Sequence, residues 1–257
     1  MKIGVCGGPE IAGIAQNAGL EYFEWSVNAF LQPLNTLESF HRSLDQVRSA
    51  SLPCPAVNVF IPGDLKITGP EVNDEALFNF VQTAMERSKM AEVEIIVFGS
   101  GGARRVPENF DRKIAYQQLI KFGRMAAQLA AVHGVRIAVE PLNRRECNIL
   151  NSVAESAEYV REINHPNFRL LVDAYHWLLE SESVQSILDA GDLLIHAHIA
   201  TPTHRLPPGA EEHDFLPFFE ALLSVGYEGR LSIEARLDES NKESQLANAV
   251  ELIHQLL

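Results

Sequence analysis

The sequence predicts a single (β/α)8 TIM barrel over residues 1–257, on three observations. Short β-branched apolar runs recur eight times, segments of helical period separate them, and no linker or low-complexity stretch divides the chain. Strands alternating with helices of this length pair in parallel through crossovers, and about 250 residues is the size of one closed eight-unit barrel.

The strands are expected at 2–6 (KIGVC), 21–27 (EYFEWSV), 55–61 (PAVNVFI), 94–99 (EIIVFG), 136–140 (RIAVE), 169–173 (RLLVD), 194–199 (LIHAHI) and 230–234 (RLSIE). Helices are expected at 72–91, 110–133, 151–163, 214–224 and 241–256. In the fourth of these, Phe215, Phe218, Phe219 and Leu222 stand at i, i+3, i+4 and i+7, the spacing of one buried face. Asn151 and Ser152 are suited to cap the start of a helix, and Gly134 and Gly226 to end one.

Composition narrows the functional classes. Lys and Arg number 21 against 34 Asp and Glu, a net charge of −13, and such a field repels phosphate backbones and acidic membrane surfaces. No apolar run reaches the roughly 20 residues of a membrane span. The opening MKIGVCGGPE has no long apolar signal region, so a cytoplasmic location is expected. Cys6, Cys54 and Cys147 are far apart and form no CxxC pair, which argues against a disulfide scaffold or a thiolate metal site.

The chemistry gathers at one end of the strands. In a barrel of this kind, polar residues at the C-terminal strand ends build the active site. Strand five ends in Glu140, strand six in Asp173, strand seven in His198 and strand eight in Glu234. Any one alone reads as a solvated strand end or an arginine partner. Together, three like charges at one barrel mouth repel unless a cation sits among them. One divalent metal ion is therefore expected on Glu140, Asp173, His198 and Glu234: Mn²⁺, Mg²⁺ or Co²⁺, with Zn²⁺ also compatible with oxygen-rich ligands and one imidazole. His196 shares the strand face of His198 but lies deeper, and is expected to be packed or hydrogen-bonded within the barrel.

These segments, VEPLNRRE at 139–146, LLVDAYHW at 170–177, HAHIA and RLPPG within 196–209, and GYEGRLSIEA at 226–235, resemble the xylose isomerase-like barrel superfamily. Within it, the chain resembles the sugar isomerases and epimerases grouped with D-tagatose 3-epimerase and hydroxypyruvate isomerase. The resemblance implies the same four metal ligands, and implies that Glu146, His176 and Arg205 hold substrate oxygens. After the metal histidine the chain departs from the epimerase pattern: ATPTH replaces a shorter stretch containing glutamate.

The activity so implied is isomerisation or epimerisation of a small sugar or hydroxy-ketone. Glu140 and Glu234 would flank the substrate as acid and base, and the metal would stabilise the enediolate formed when a proton leaves the carbon next to the carbonyl. The expected partner is a small-molecule sugar, not nucleic acid or membrane, and association into a homo-oligomer is compatible with this fold. Three other readings share the rim: an inosose-type polyol dehydratase, an apurinic-site endonuclease, and a barrel that binds sugar without turnover. The endonuclease reading needs further histidines and acids on the early strands, where only Glu24 occurs. Elsewhere on the rim, Arg104 and Arg105 in the glycine-rich segment 97–110 would either hold an anion or stand solvated. Phe60 is expected to pack in the core or wall the site, with Glu24 and Trp25 as further wall candidates, and Trp177 to pack beside His176.

Overall fold

The β-branched apolar runs become eight strands, β1 (Lys2–Cys6), β2 (Tyr22–Ser26), β3 (Ala56–Asn58), β4 (Ile95–Phe98), β5 (Arg136–Val139), β6 (Phe168–Asp173), β7 (Leu194–Ile199) and β8 (Arg230–Ile233). The computed structural model describes residues 1–257. Every strand pairs in parallel with its neighbour in the chain, and β1 closes on β8 with Lys2 opposite Arg230. Parallel pairing demands the crossovers that the helical segments provide.

The expected helices form at Asp74–Met90, Arg112–His133, Val153–Ile163, Leu216–Ser224 and Lys242–Leu256. Ser152, not Asn151, caps the third, its hydroxyl accepting from the Glu155 amide; Asn151 instead donates its side-chain amide to the carbonyls of Leu142 and Cys147. Gly134 takes a left-handed φ of 72° at the end of the second helix, as a C-terminal glycine should. Phe215, Phe218, Phe219 and Leu222 are all buried. No helix is long and apolar enough to cross a membrane, and the three cysteines are unpaired.

Strand three is shorter than its sequence suggests. PAVNVFI reads as seven extended residues, but the ladder stops at Asn58 because Val59 adopts a left-handed φ of 52°. The turn carries Phe60 into the shell between strands and helices, where it packs against Phe98 and Phe122, so Phe60 is core and not a wall of the site.

Alternation along the strands divides the buried residues into two populations. Outward-facing residues join the helices in one large apolar core. Inside the barrel, Ala56, Ile95, Val97, Ala138 and Leu171 form a separate apolar cluster on β3 to β6. The other half of the interior, on β7, β8 and β2, is polar: His196, His198, Ser232, Tyr22 and Glu24 are all buried. Gly4 on β1 leaves room for this half, since a Cβ there would lie 2.4 Å from the Tyr22 ring.

Candidate active site

Asp173 is the last residue of β6 and the N-cap of a short helix, Ala174–Leu179. Its Oδ1 accepts from the Tyr175 amide at 2.9 Å, which fixes the carboxylate. Its Oδ2 is buried with no hydrogen-bond partner. Three residues on, the same helix places His176 Nε2 3.5 Å from Oδ2, and that nitrogen is also buried without a hydrogen bond. A buried oxygen left bare costs about 1–3 kcal/mol, more when charged, so this pair marks a place built for another group.

The strand ends expected to meet do meet. Donor atoms of Glu140, Asp173, His198 and Glu234 lie within 4.8 Å of one another. Asp173 and His198 are opposite each other in the β6–β7 register, while Glu140 and Glu234 each follow directly on the end of their strands. His198 Nδ1 lies 3.2 Å from Glu140 Oε1 and 3.3 Å from Glu234 Oε2. Gly99 lets the Glu140 carboxylate approach the β4 end, since a Cβ there would lie 2.2 Å from Glu140 Oε2.

The electrostatics follow from crowding buried acids. Burial, reinforced by the charges of Glu140 and Glu234, pushes the Asp173 carboxyl up to about 8. Burial also raises Glu140. It would raise Glu234 too, but His198 and Arg205 outweigh it and hold that carboxyl at about 2. Burial works against a charge on His198, yet Glu24 and Glu234 overcome it and hold the imidazole well above its ordinary value. Without a metal, the cluster thus retains protons in the space between the acids. The donor set, the bare Asp173 oxygen and the acid excess fit one divalent cation.

Above the cluster is a cavity of about 290 Å³ lined by Glu140, Glu234, His176, Glu146 and Arg205 with the glycine-rich turn after β4. Arg205 Nη2 donates to Glu234 Oε2 at 2.6 Å, Nη1 lies 3.5 Å from Glu146 Oε1, and the guanidinium stacks 4.6 Å from the Tyr175 ring centroid. Asn143 donates its side-chain amide to Glu146 Oε1 at 3.1 Å, and its backbone N–H points to His176 Nδ1 at 3.2 Å. Burial first, then the nearby arginine charge, drops His176 to about 3, so it is a neutral imidazole at neutral pH.

The family described as Xylose isomerase-like TIM barrel matches residues 13–256. The chain belongs to that family. Among curated relatives, a 3-dehydro-D-guloside 4-epimerase of Escherichia coli is 34% identical over 49% of this chain and 47% of its own length. An L-ribulose 3-epimerase of Methylomonas is 38% identical over 42% of this chain and 38% of its own. The chain thus spans about half or less of the length of these relatives. The crystal structure of a D-psicose 3-epimerase with D-tagatose, from Clostridium cellulolyticum, superposes with a TM-score of 0.88 at 18% identity, covering 100% of this chain and 99% of that one. At that identity the likeness is one of fold.

Other expectations change at this family's rim. Arg104 is not an anion ligand. It is fully buried and donates to the carbonyls of Phe98 and Glu140 at 3.1 and 2.7 Å, with its guanidinium over the Phe98 ring. The short helical turn Gly101–Arg104 carries it inward and leaves Arg105 to donate to the Glu146 carbonyl. Trp177 packs on Phe218. Glu24 is no apolar wall: it is fully buried, accepting from Ser232 Oγ at 2.7 Å, with His196 Nε2 at 2.7 Å and His198 Nε2 at 3.0 Å. His196 is therefore hydrogen-bonded inside the barrel, as its depth on the strand implied. An inward parity on β2, shared with Tyr22, is the available signal for Glu24; Asn143 and Tyr175 lie inside the segments VEPLNRRE and LLVDAYHW, with no further signal to single them out.

Proposed function

We propose that the chain is a divalent-metal-dependent epimerase of a small ketose, working by proton removal and return at a carbon next to the carbonyl. The observation that carries this reading is the convergence of Glu140 and Glu234 on one imidazole nitrogen, at the floor of a sugar-sized cavity. Glu140, Asp173, His198 and Glu234 would hold the metal, which would supply Lewis-acid chemistry that makes a C–H next to a carbonyl easier to ionise.

The chain's own groups do the rest. Glu140 and Glu234 reach the cluster from β5 and β8, and two carboxylates on opposite faces of a sugar carbon can take a proton from one side and return one to the other. Which one acts as base depends on the starting epimer, because the reverse reaction exchanges their roles. Arg205, tied to both Glu234 and Glu146, orients Glu234 and offers N–H donors to hydroxyls. His176, neutral, presents a free ring nitrogen beside Asp173, suited to a sugar oxygen.

The cavity also favours an unphosphorylated substrate. Arg205 is paired with two carboxylates, Arg104 faces carbonyls, and Lys66 at the rim donates to the carbonyls of Gly63 and Gly102. A phosphate dianion would meet an acid-lined cavity with its cations engaged.

Incubation of metal-loaded protein with D-psicose, D-fructose, D-tagatose and L-ribulose in D₂O tests the reading. Deuterium entering next to the carbonyl, with the epimer appearing and EDTA abolishing both, is the expected result. Loss of water from the substrate would point to a dehydratase. No exchange with any ketose, despite bound metal, overturns the proposal.

A further inference from the structure

The polar half of the barrel interior holds a hydrogen-bond chain that the acid–base scheme does not use. Tyr22 OH lies 2.8 Å from Ser232 Oγ, which is 2.7 Å from Glu24 Oε2. The same Oε2 meets His196 Nε2, and Glu24 Oε1 meets His198 Nε2. All five residues are buried, so each proton must be accounted for.

Donor arithmetic leaves one consistent arrangement. Glu24 Oε2 lies 2.7 Å from both Ser232 Oγ and His196 Nε2, and Oε1 lies 3.0 Å from His198 Nε2, so three groups able to donate surround one carboxyl. With both oxygens turned to O–H and N–H groups, the carboxylate accepts from Ser232 and both histidines, and Tyr22 donates to Ser232. His198 therefore keeps its proton on Nε2, and Nδ1, the nitrogen facing Glu140 and Glu234, is the one left for a cation. Nδ1 faces two carboxylates at 3.2 and 3.3 Å, a place that takes either a proton or a cation between them.

We propose that Glu24 is a positioning residue that fixes the Nε2–H form and ring orientation of His198, so that Nδ1 is presented to the metal. This rests on the proposed metal site. Ser232 and Tyr22 hold Glu24 itself, and His196 shares it, so three strands (β2, β8 and β7, the last contributing both histidines) meet through one carboxylate. Carboxylates behind ligating histidines commonly contribute 10- to 100-fold to metal affinity.

Two measurements test the assignment. In the first, the full chain with ¹⁵N-labelled histidine is titrated with Zn²⁺ as a diamagnetic probe, with His198 assigned through His198→Gln. The expected spectrum keeps the Nε2 proton of His198 and shifts Nδ1 on metal addition. A metal-induced shift at Nε2 overturns the proposal while leaving the metal site intact. No zinc binding by the wild-type chain removes the metal site and the proposal together. In the second, Glu24→Gln supplies one acceptor where two imidazoles need one each, and Mn²⁺ affinity by calorimetry is expected to fall 10- to 100-fold with the metal-free melting temperature recorded alongside. Unchanged affinity in a folded Glu24→Gln protein overturns it; if that variant does not fold, the wild-type spectrum decides alone.

Discussion

Glu140 and Glu234 are isosteric with glutamine, so exchanging either removes a proton carrier with little change of volume. Glu140→Gln and Glu234→Gln are each expected to fold and to lose about 10²- to 10⁴-fold of turnover, read as the rate of deuterium entry into a ketose. Full activity in either would remove that residue from the acid–base pair. Val59 offers a stability counterpart. It is β-branched, half exposed, and sits at a left-handed φ that asparagine adopts more readily. Val59→Asn is expected to raise stability by about 0.5–1 kcal/mol, seen as a higher melting temperature. Sequence reading located Glu140, Asp173, His198 and Glu234 because each interrupts an apolar strand at its C-terminal end. It misjudged Arg104 and Glu24, whose roles depend on which way a turn or a strand face points after closure.

The short turn after β4 has a task beyond lining the cavity. Arg104 ties the β4 end, the carbonyl of Glu140 and the loop after β5 together, so the backbone beneath a proposed catalytic glutamate hangs from one guanidinium. Arg104→Ala leaves buried carbonyls bare and should cost about 3–5 kcal/mol in a denaturant titration. The strand ends carry the pH dependence. Asp173, near 8 when metal-free against an ordinary 3.8, takes up a proton on folding. Metal-free stability therefore falls as pH rises from about 4 to about 8, and levels off above. A metal held by Asp173 would displace that proton, so affinity is expected to climb as pH rises toward 8. The difference in melting temperature between Mn²⁺ and EDTA samples, measured from pH 6 to 9, should widen with pH and then flatten. A constant or narrowing difference would contradict the assignment of Asp173 as a ligand. Helix and strand placement was legible because period and punctuation are local properties; the early end of β3 was not, because Val59 breaks the ladder against its own β-propensity.

The closed barrel shares its interior between an apolar half on β3 to β6 and a polar half on β7, β8 and β2. The large outer core stabilises the fold independently of metal, whereas the crowded acids at the mouth would gain from a cation bound among them. A ligand that binds only the folded chain adds about 2.7 kcal/mol at 100 times its dissociation constant. EDTA is thus expected to lower the melting temperature without unfolding the chain at 25 °C, checked by circular dichroism. The eight-unit order and closure were readable from the repeat alone; the unequal division of the interior was not, because parity tells which residues face inward but not which of them meet across the axis.

The turns after β3 and β4 touch through bare backbone, with a Cβ on Gly102 falling 3.0 Å from the Gly63 Cα. At that point neither turn has a side chain to trim, and Lys66 ties the two together by donating to the carbonyls of both glycines. A designer wishing to admit a bulkier ligand would therefore leave both glycines alone and trim beside them, at Ile61 or Leu142, which line the cavity and where shortening a chain opens volume without prying the two turns apart.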